Sequence, residues 1–313
     1  MFRVGYMTVV QHIKKIIKWF VPYGILEKRR KYIFERMCIQ YPKLKDIRNY
    51  FLGLNRDEQS VEIIEIIDYL EEHNINYIPY LFIQRHSNKY FNNNIYHFDV
   101  QCEMYFILHK GKKMYFPEDW TAANVLGYYK GLCVEQDAAS PHRYETKEYI
   151  VKEGEIIADI GAAEGIWALA YAEKAAKIYL FECNDKWIKA LQKTFEPWKD
   201  KTIIVKKYVS AKDDNEEVSL DTFFKGIKVN IIKADIEGAE VDLLKGSQLL
   251  LKTSNLSLIL CTYHKHEDAQ IIKEILEQNG YVTEYSNRYM LNFYDEKIKE
   301  PYIRRGVIRA KKK

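Results

Sequence analysis

The sequence predicts an α/β fold: a doubly wound, mostly parallel sheet over residues 148–313, preceded by a smaller mixed α+β domain over 1–147. Three observations lead there. From residue 148 onward, apolar runs alternate with helical segments, which is the rhythm of consecutive strand-and-helix units. The runs are apolar without interruption, as strands buried on both faces require. Before residue 148, helices and strands occur without that rhythm. With 47% hydrophobic and 29% charged residues, the chain of 313 has the composition of a globular protein.

The elements follow in order. Ile13, Ile16, Ile17, Phe20 and Val21 fall at helical spacing with Lys14, Lys15 and Lys18 between them, a short basic amphipathic helix that Pro22 ends. "SVEIIEIIDYLEEHN" reads as a second helix, and "EMYFILHKGKKMYFP" as two strands around a turn at Gly111. In "TAANVLGYYKGLCVEQ", Ala122, Val125, Leu126, Tyr129, Leu132 and Cys133 share one helical face. The later strands are "EIIADIG", "KIYLFE", "TIIVKKYV", "VNIIKADI" and "LSLILCTYH", with helices over 165–175, 185–195, 239–250 and 267–279. Such a sheet places its ligand at the carboxyl ends of the strands, where strand order reverses.

Several classes are excluded. Five scattered cysteines without a C-x-x-C pair offer neither a disulfide framework nor a zinc knuckle and fit a reducing compartment. No apolar run approaches the roughly 18 residues of a spanning helix, and no signal peptide is recognisable. A net charge of +4 is too small to argue for nucleic acid. The basic residues gather in Lys14, Lys15 and Lys18, in "EKRRKY" and in "IRRGVIRAKKK". Read as solvated ends, they are the part able to meet an anionic glycan, a partner enzyme or the inner face of a membrane. The expectation is a cytoplasmic protein.

The first strand-to-helix turn, "DIGAAEG", narrows the ligand. Gly161 and Gly165 are not G-x-G-x-x-G, whose middle glycine admits a pyrophosphate, and no G-K-[ST] follows as in a phosphate loop. Asp159 would repel a phosphate but suit a cationic amine such as that of S-adenosylmethionine. Glu182 closes the second strand, 17 residues beyond Gly165, about where Rossmann-type sites hold a ribose. Either acid alone could instead cap a strand end.

"DIGAAEG", "LFE", "VSLDTF", "IKADIEGAEVDLLKG" and "CTYHKHEDAQII", in this order over roughly 148–285, resemble the FkbM family of S-adenosylmethionine-dependent methyltransferases. The resemblance implies a Rossmann-like class I methyltransferase domain, commonly an O-methyltransferase, often acting on sugars, glycans or natural products. Family members more often have Asn where this chain has Ala163. The cofactor is then S-adenosyl-L-methionine, with contacts expected from Asp159, Gly161, Ala162, Gly165, Glu182, Ser210, Gln136 and His142.

On the acceptor side, Asp235 and Glu237 end the fourth strand two residues apart, so both face one rim. They fit a general base and its partner, or two metal ligands; Glu237 fits equally a cap on the next helix. His264, at the end of the fifth strand, is the expected base with Asp235 orienting it, and His266 is expected in solvent. A metal held by Asp235, Glu237 and His264 is the rival, without a dedicated metal signature to support it. Residues 135–145 are placed to fold over the strand ends, bringing Gln136, Asp137, Ser140, His142 and Arg143 to donor or acceptor, and Asp221 reads as a helix cap. The expected function is O-methylation of a saccharide or cell-surface glycan precursor. The alternatives are a nicotinamide-dependent oxidoreductase, against which the missing middle glycine counts, and a non-catalytic binding domain.

Overall fold

The computed structural model describes residues 32, 35–36, 38–72, 96–293 and 295–312. The basic helix read at 13–21 lies outside them. Chain contacts divide the protein into two compact units: Met1–Tyr77 with Phe293–Pro301, and Ile78–Asn292 with Tyr302–Lys313. The division falls earlier in the chain than residue 148. In the first unit, α1 (Lys43–Leu52) and α2 (Val61–Glu72) bury Leu44, Ile47, Phe51, Ile66 and Leu70.

In the second unit, β1 (Tyr96–Asp99), β2 (Met104–His109) and β3 (Lys112–Tyr115) form an antiparallel meander. Lys110 and Gly111, both at positive φ (49° and 82°), close the β2–β3 hairpin. α3 (Ala122–Glu135) starts at a Thr121–Asn124 capping box. There follow β4 (Ile156–Ile160), α4 (Ile166–Ala170), β5 (Lys177–Phe181), α5 (Asp185–Thr194), β6 (Thr202–Val205), β7 (Tyr208–Val209), β8 (Glu217–Val218) and α6 (Leu220–Phe223). The last elements are β9 (Ile231–Ala234), α7 (Glu240–Lys245), α8 (Gln248–Thr253), β10 (Ser257–Cys261), α9 (Asp268–Gln278), β11 (Tyr281–Tyr285) and β12 (Val307–Lys312). The main sheet has the order β11-β12-β10-β9-β4-β5-β6, and only β12 runs antiparallel to its neighbours.

Alternate residues of each central strand feed two cores. Ile157, Ile178, Leu180 and Ile259 face one side; Ala158, Tyr179, Phe181, Leu258 and Leu260 face the other. The first side is covered by Ile107, Met114 and Phe116 of the meander and by Val125, Tyr129 and Leu132 of α3, which is why these elements belong with the sheet.

Three readings are corrected. "TIIVKKYV" is two strands, because Lys206 pairs with Asp185 and Lys207 reaches the Asp214 carbonyl, and β7 then pairs with β8 outside the main sheet. The helix read over 239–250 breaks into α7 and α8 at Gly246, where a Cβ would stand 2.1 Å from the Ser210 carbonyl oxygen. The basic run at the C-terminal end is not solvated: Val307, Ile308, Arg309 and Ala310 are buried. Arg309 donates to the Tyr144 carbonyl at 2.8 Å and to that of Arg143, and Lys312 donates to those of Leu251 and Lys252. Among the described residues no helix is long and apolar enough to cross a membrane.

Candidate active site

The β4–α4 turn has its glycines for reasons of packing. Gly161 (φ 69°) would place a Cβ 2.0 Å from the Asp235 carbonyl oxygen, and Gly165 (φ 73°) would place one within 2.9 Å of Leu191 and Phe195. Between them Ala163 is also left-handed, at φ 45°. Asn tolerates that conformation better than Ala, which accounts for the residue usual in the resembling family. Glu182 follows β5 and holds the turn: its carboxylate accepts the Ala163 N–H at 2.9 Å and those of Cys183 and Asn184 at 2.8 Å.

Above the turn, on the side covered by α3, lies a cavity of about 200 Å³. Asp159, Gly161, Ala162, Gln136, His142, Asp235 and Glu237 line it; Gly165, Glu182, Ser210 and His264 do not. Asp159 was expected to await a cation, yet it already has one. Lys233 of β9, buried like Asp159, stands 2.9 Å from its carboxylate and donates to the Gly161 carbonyl at 3.0 Å. Asp159 and Asp235 together keep the Lys233 ammonium charged in spite of its burial. In the sequence Lys233 is marked only by standing inside the apolar run "VNIIKADI", where a lysine can be buried only with a partner.

Asp235 is the hub of the cavity. Its carboxylate accepts the hydroxyls of Tyr144 (2.7 Å) and Tyr263 (3.2 Å), and the Nε2 atoms of His142 and His264 each lie 3.4 Å away. Burial works to raise its pKa, but His142, Lys233 and His264 outweigh that and hold it well below the usual carboxylate range. His264 lies behind this hub. Its Nδ1 is 3.1 Å from the wholly buried Glu240, and its Nε2 is 3.5 Å from Glu237, whose side chain is 93% exposed. Burial lowers the imidazole pKa, but Glu240, Asp235 and Glu237 more than offset it, and the value is raised. Glu240, the second glutamate of "DIEGAE", also accepts the Ile236 N–H at 2.9 Å and so fixes the loop that carries Asp235 and Glu237. In the sequence Glu240 looks like any acid in the first turn of a helix, and only the fold brings it to His264. Glu237 caps no helix, since no side chain caps α7, and it sits at φ 54°. Asp235, Glu240 and His264 each offer a ligand atom within 4.8 Å of the others, but Lys233 beside them disfavours a further cation.

Residues 135–145 form an ordered, polar edge of the cavity. Gln136 accepts the Tyr144 N–H and donates to the His142 carbonyl, while the side chains of Ser140 and Asp137 take the backbone N–H groups of His142 and Ala139. Glu164 is buried, accepts the Tyr128 hydroxyl at 2.8 Å, and is raised by burial to about 7. Ser210 belongs to the β7–β8 turn, where its Oγ accepts the Lys212 N–H, away from the cavity. Asp221 is a cap, though of α8: it accepts the N–H groups of Leu249 and Leu250.

Residues 171–283 match the family model of the Methyltransferase FkbM domain, a match that begins beyond the glycine turn. No curated protein matches the chain. Among solved structures the chain is similar to methyltransferase FkbM from Methylobacillus flagellatus KT, at 14% identity and TM-score 0.41 over 60% of this chain and 54% of that one. It is similar to precorrin-6y C5,15-methyltransferase from Geobacter metallireducens GS-15 (14% identity, TM-score 0.37, 52% and 82% covered). A third is TYW2 from M. jannaschii in complex with AdoMet (16% identity, TM-score 0.38, 67% and 85% covered). The chain thus spans about half the length of the first of these. Its main sheet, mostly parallel with helices between the strands, is that of a Rossmann-like doubly wound fold.

Proposed function

We propose that the chain is an FkbM-type methyltransferase whose methyl donor is S-adenosylmethionine and whose acceptor is a hydroxyl of a saccharide or glycan precursor. The observation that carries the donor is the charge of the cavity wall. Five carboxyl groups, of Glu135, Asp159, Glu164, Asp235 and Glu237, stand there against one ammonium, that of Lys233; burial raises Glu135, Asp159 and Glu164, so a bound cation would draw further negative charge onto the wall. A sulfonium beside an α-amine suits such a wall, whereas a pyrophosphate is repelled, which disfavours a nicotinamide cofactor. The acceptor class rests on the family resemblance.

The donor supplies an electrophilic methyl group, and the chain's own residues align the acceptor with it and remove its proton. Asp235 stays ionised, faces the cavity and can accept the hydrogen bond of an acceptor hydroxyl. His264 does not reach the cavity directly, so the proton passes to it through Asp235 or Glu237, and its raised pKa makes it the resting place. Asp235, Glu237 and His264 thereby act as one base. Only neutral His264 can receive the proton, so turnover should rise with pH through the raised histidine value.

The full chain, methyl-labelled S-adenosylmethionine and a panel of saccharides and nucleotide sugars test this by label transfer. His264→Ala should lower turnover by about 10²- to 10⁴-fold, with S-adenosylhomocysteine affinity unchanged. Failure of calorimetry to detect S-adenosylhomocysteine binding would overturn the donor, and normal turnover by His264→Ala would overturn the base.

A further inference from the structure

Beside the donor cavity lies a second cavity of about 210 Å³, and the two share a wall made by Leu132, Gln136, Tyr144, Ile166 and Trp167. Their charges are opposite. The donor cavity is acidic; the second is lined by Arg143 and Lys110 with Glu145 as its one acid. Glu145 is engaged by the Tyr171 hydroxyl. Burial, reinforced by Lys110 and Lys112, drops the His109 pKa to about 4, so this imidazole adds no charge at neutral pH. Among the described residues, Arg143 and Lys110 have no side-chain hydrogen bond or ion pair. Trp167, on the shared wall, is 3% exposed, and its buried indole N–H has no acceptor. A half-buried guanidinium, an ammonium and an unused N–H therefore line one cavity in which Glu145 is the one anion, leaving more positive than negative charge.

S-adenosylmethionine carries its α-amine and its carboxylate on the same carbon. The acidic cavity favours the sulfonium and the amine but disfavours the carboxylate, which must turn away from it. We propose that the second cavity receives this carboxylate: Arg143 holds it as a charge-assisted pair, with the Trp167 N–H and Lys110 as further donors. Arg143 is then a specificity-determining residue for the amino-acid half of the donor. The assignment rests on the donor reading above and adds to it a residue in the segment ahead of β4.

Two thioethers separate the possibilities. S-adenosylhomocysteine carries the amino acid; 5′-methylthioadenosine keeps the adenosine and sulfur without it. Titrated calorimetrically into the full chain, Arg143→Met should bind S-adenosylhomocysteine about 10- to 100-fold more weakly than wild type, as expected for one lost charge-assisted pair. Its affinity for 5′-methylthioadenosine should be unchanged, and Arg143→Lys should recover part of the loss. Unchanged S-adenosylhomocysteine affinity in Arg143→Met overturns the proposal and, if acceptor turnover falls, assigns the cavity to an anionic acceptor. Equal loss for both thioethers also overturns it, since Arg143 would then be supporting the fold. If wild type binds neither thioether, the donor reading fails and this assignment with it.

Discussion

Glu164→Gln isolates the cost of one buried carboxyl. Glu164 is 5% exposed, and burial moves its pKa from 4.5 to about 7, with the Tyr128 hydroxyl and Lys233 opposing the rise. Between those values the folded chain holds a proton that the unfolded chain releases, so stability falls as pH rises through the interval, and the loss is complete above the folded value. A displacement of about 2.5 pH units at about 1.36 kcal/mol each amounts to about 3 kcal/mol. Glutamine keeps an acceptor for Tyr128 and cannot ionise. Urea unfolding of both proteins from pH 4.5 to 8 should therefore give nearly equal free energies at the acid end. At pH 8 the variant should be more stable by about 3 kcal/mol. Parallel stability curves across that range would refute the burial argument. A cation bound beside Glu164 favours its ionised form, so affinity for S-adenosylmethionine should also rise through pH 7 in wild type and stay flat in the variant.

Lys233→Met should destabilise the protein by about 3–5 kcal/mol, because Asp159 is left buried without its cation. Denaturant titration checks this, and the double variant Asp159→Leu/Lys233→Met should recover most of the loss. Glu182→Ala should lower both the melting temperature and the affinity for S-adenosylhomocysteine, since three backbone N–H groups lose their acceptor together with the turn they hold. A melting temperature equal to wild type would refute the holding role.

The central parallel strands are legible in the sequence because each buries both faces and is written mostly in apolar residues, with Asp159 of β4 and Lys233 of β9 as the paired exceptions. β12 is not, because "VIRAKK" hides its charges by sending Arg309 and Lys312 to backbone carbonyls of other segments. At the site, strand-end position was enough to bring Asp235 and His264 together, and they lie 3.4 Å apart. It was not enough to tell which of them faces the cavity. That is decided by Glu240, which is local to Asp235 in the chain but meets His264 only across two strands and a helix start. Lys233 was illegible for a related reason. Its partner Asp159 sits on a neighbouring strand distant in sequence, and only the parallel pairing of β4 with β9 sets the two side by side.

The placement of β12 between β10 and β11 bears on biosynthesis. A chain leaving the ribosome presents both flanking strands before the one that separates them exists. Until residues 307–312 arrive, β10 and β11 each expose a row of unsatisfied amides and carbonyls toward the gap, and the parallel half of the sheet is already able to form beside them. A nascent chain from which β12 has not yet emerged, or a molecule cut ahead of residue 307, is therefore an open template for strand addition from another chain.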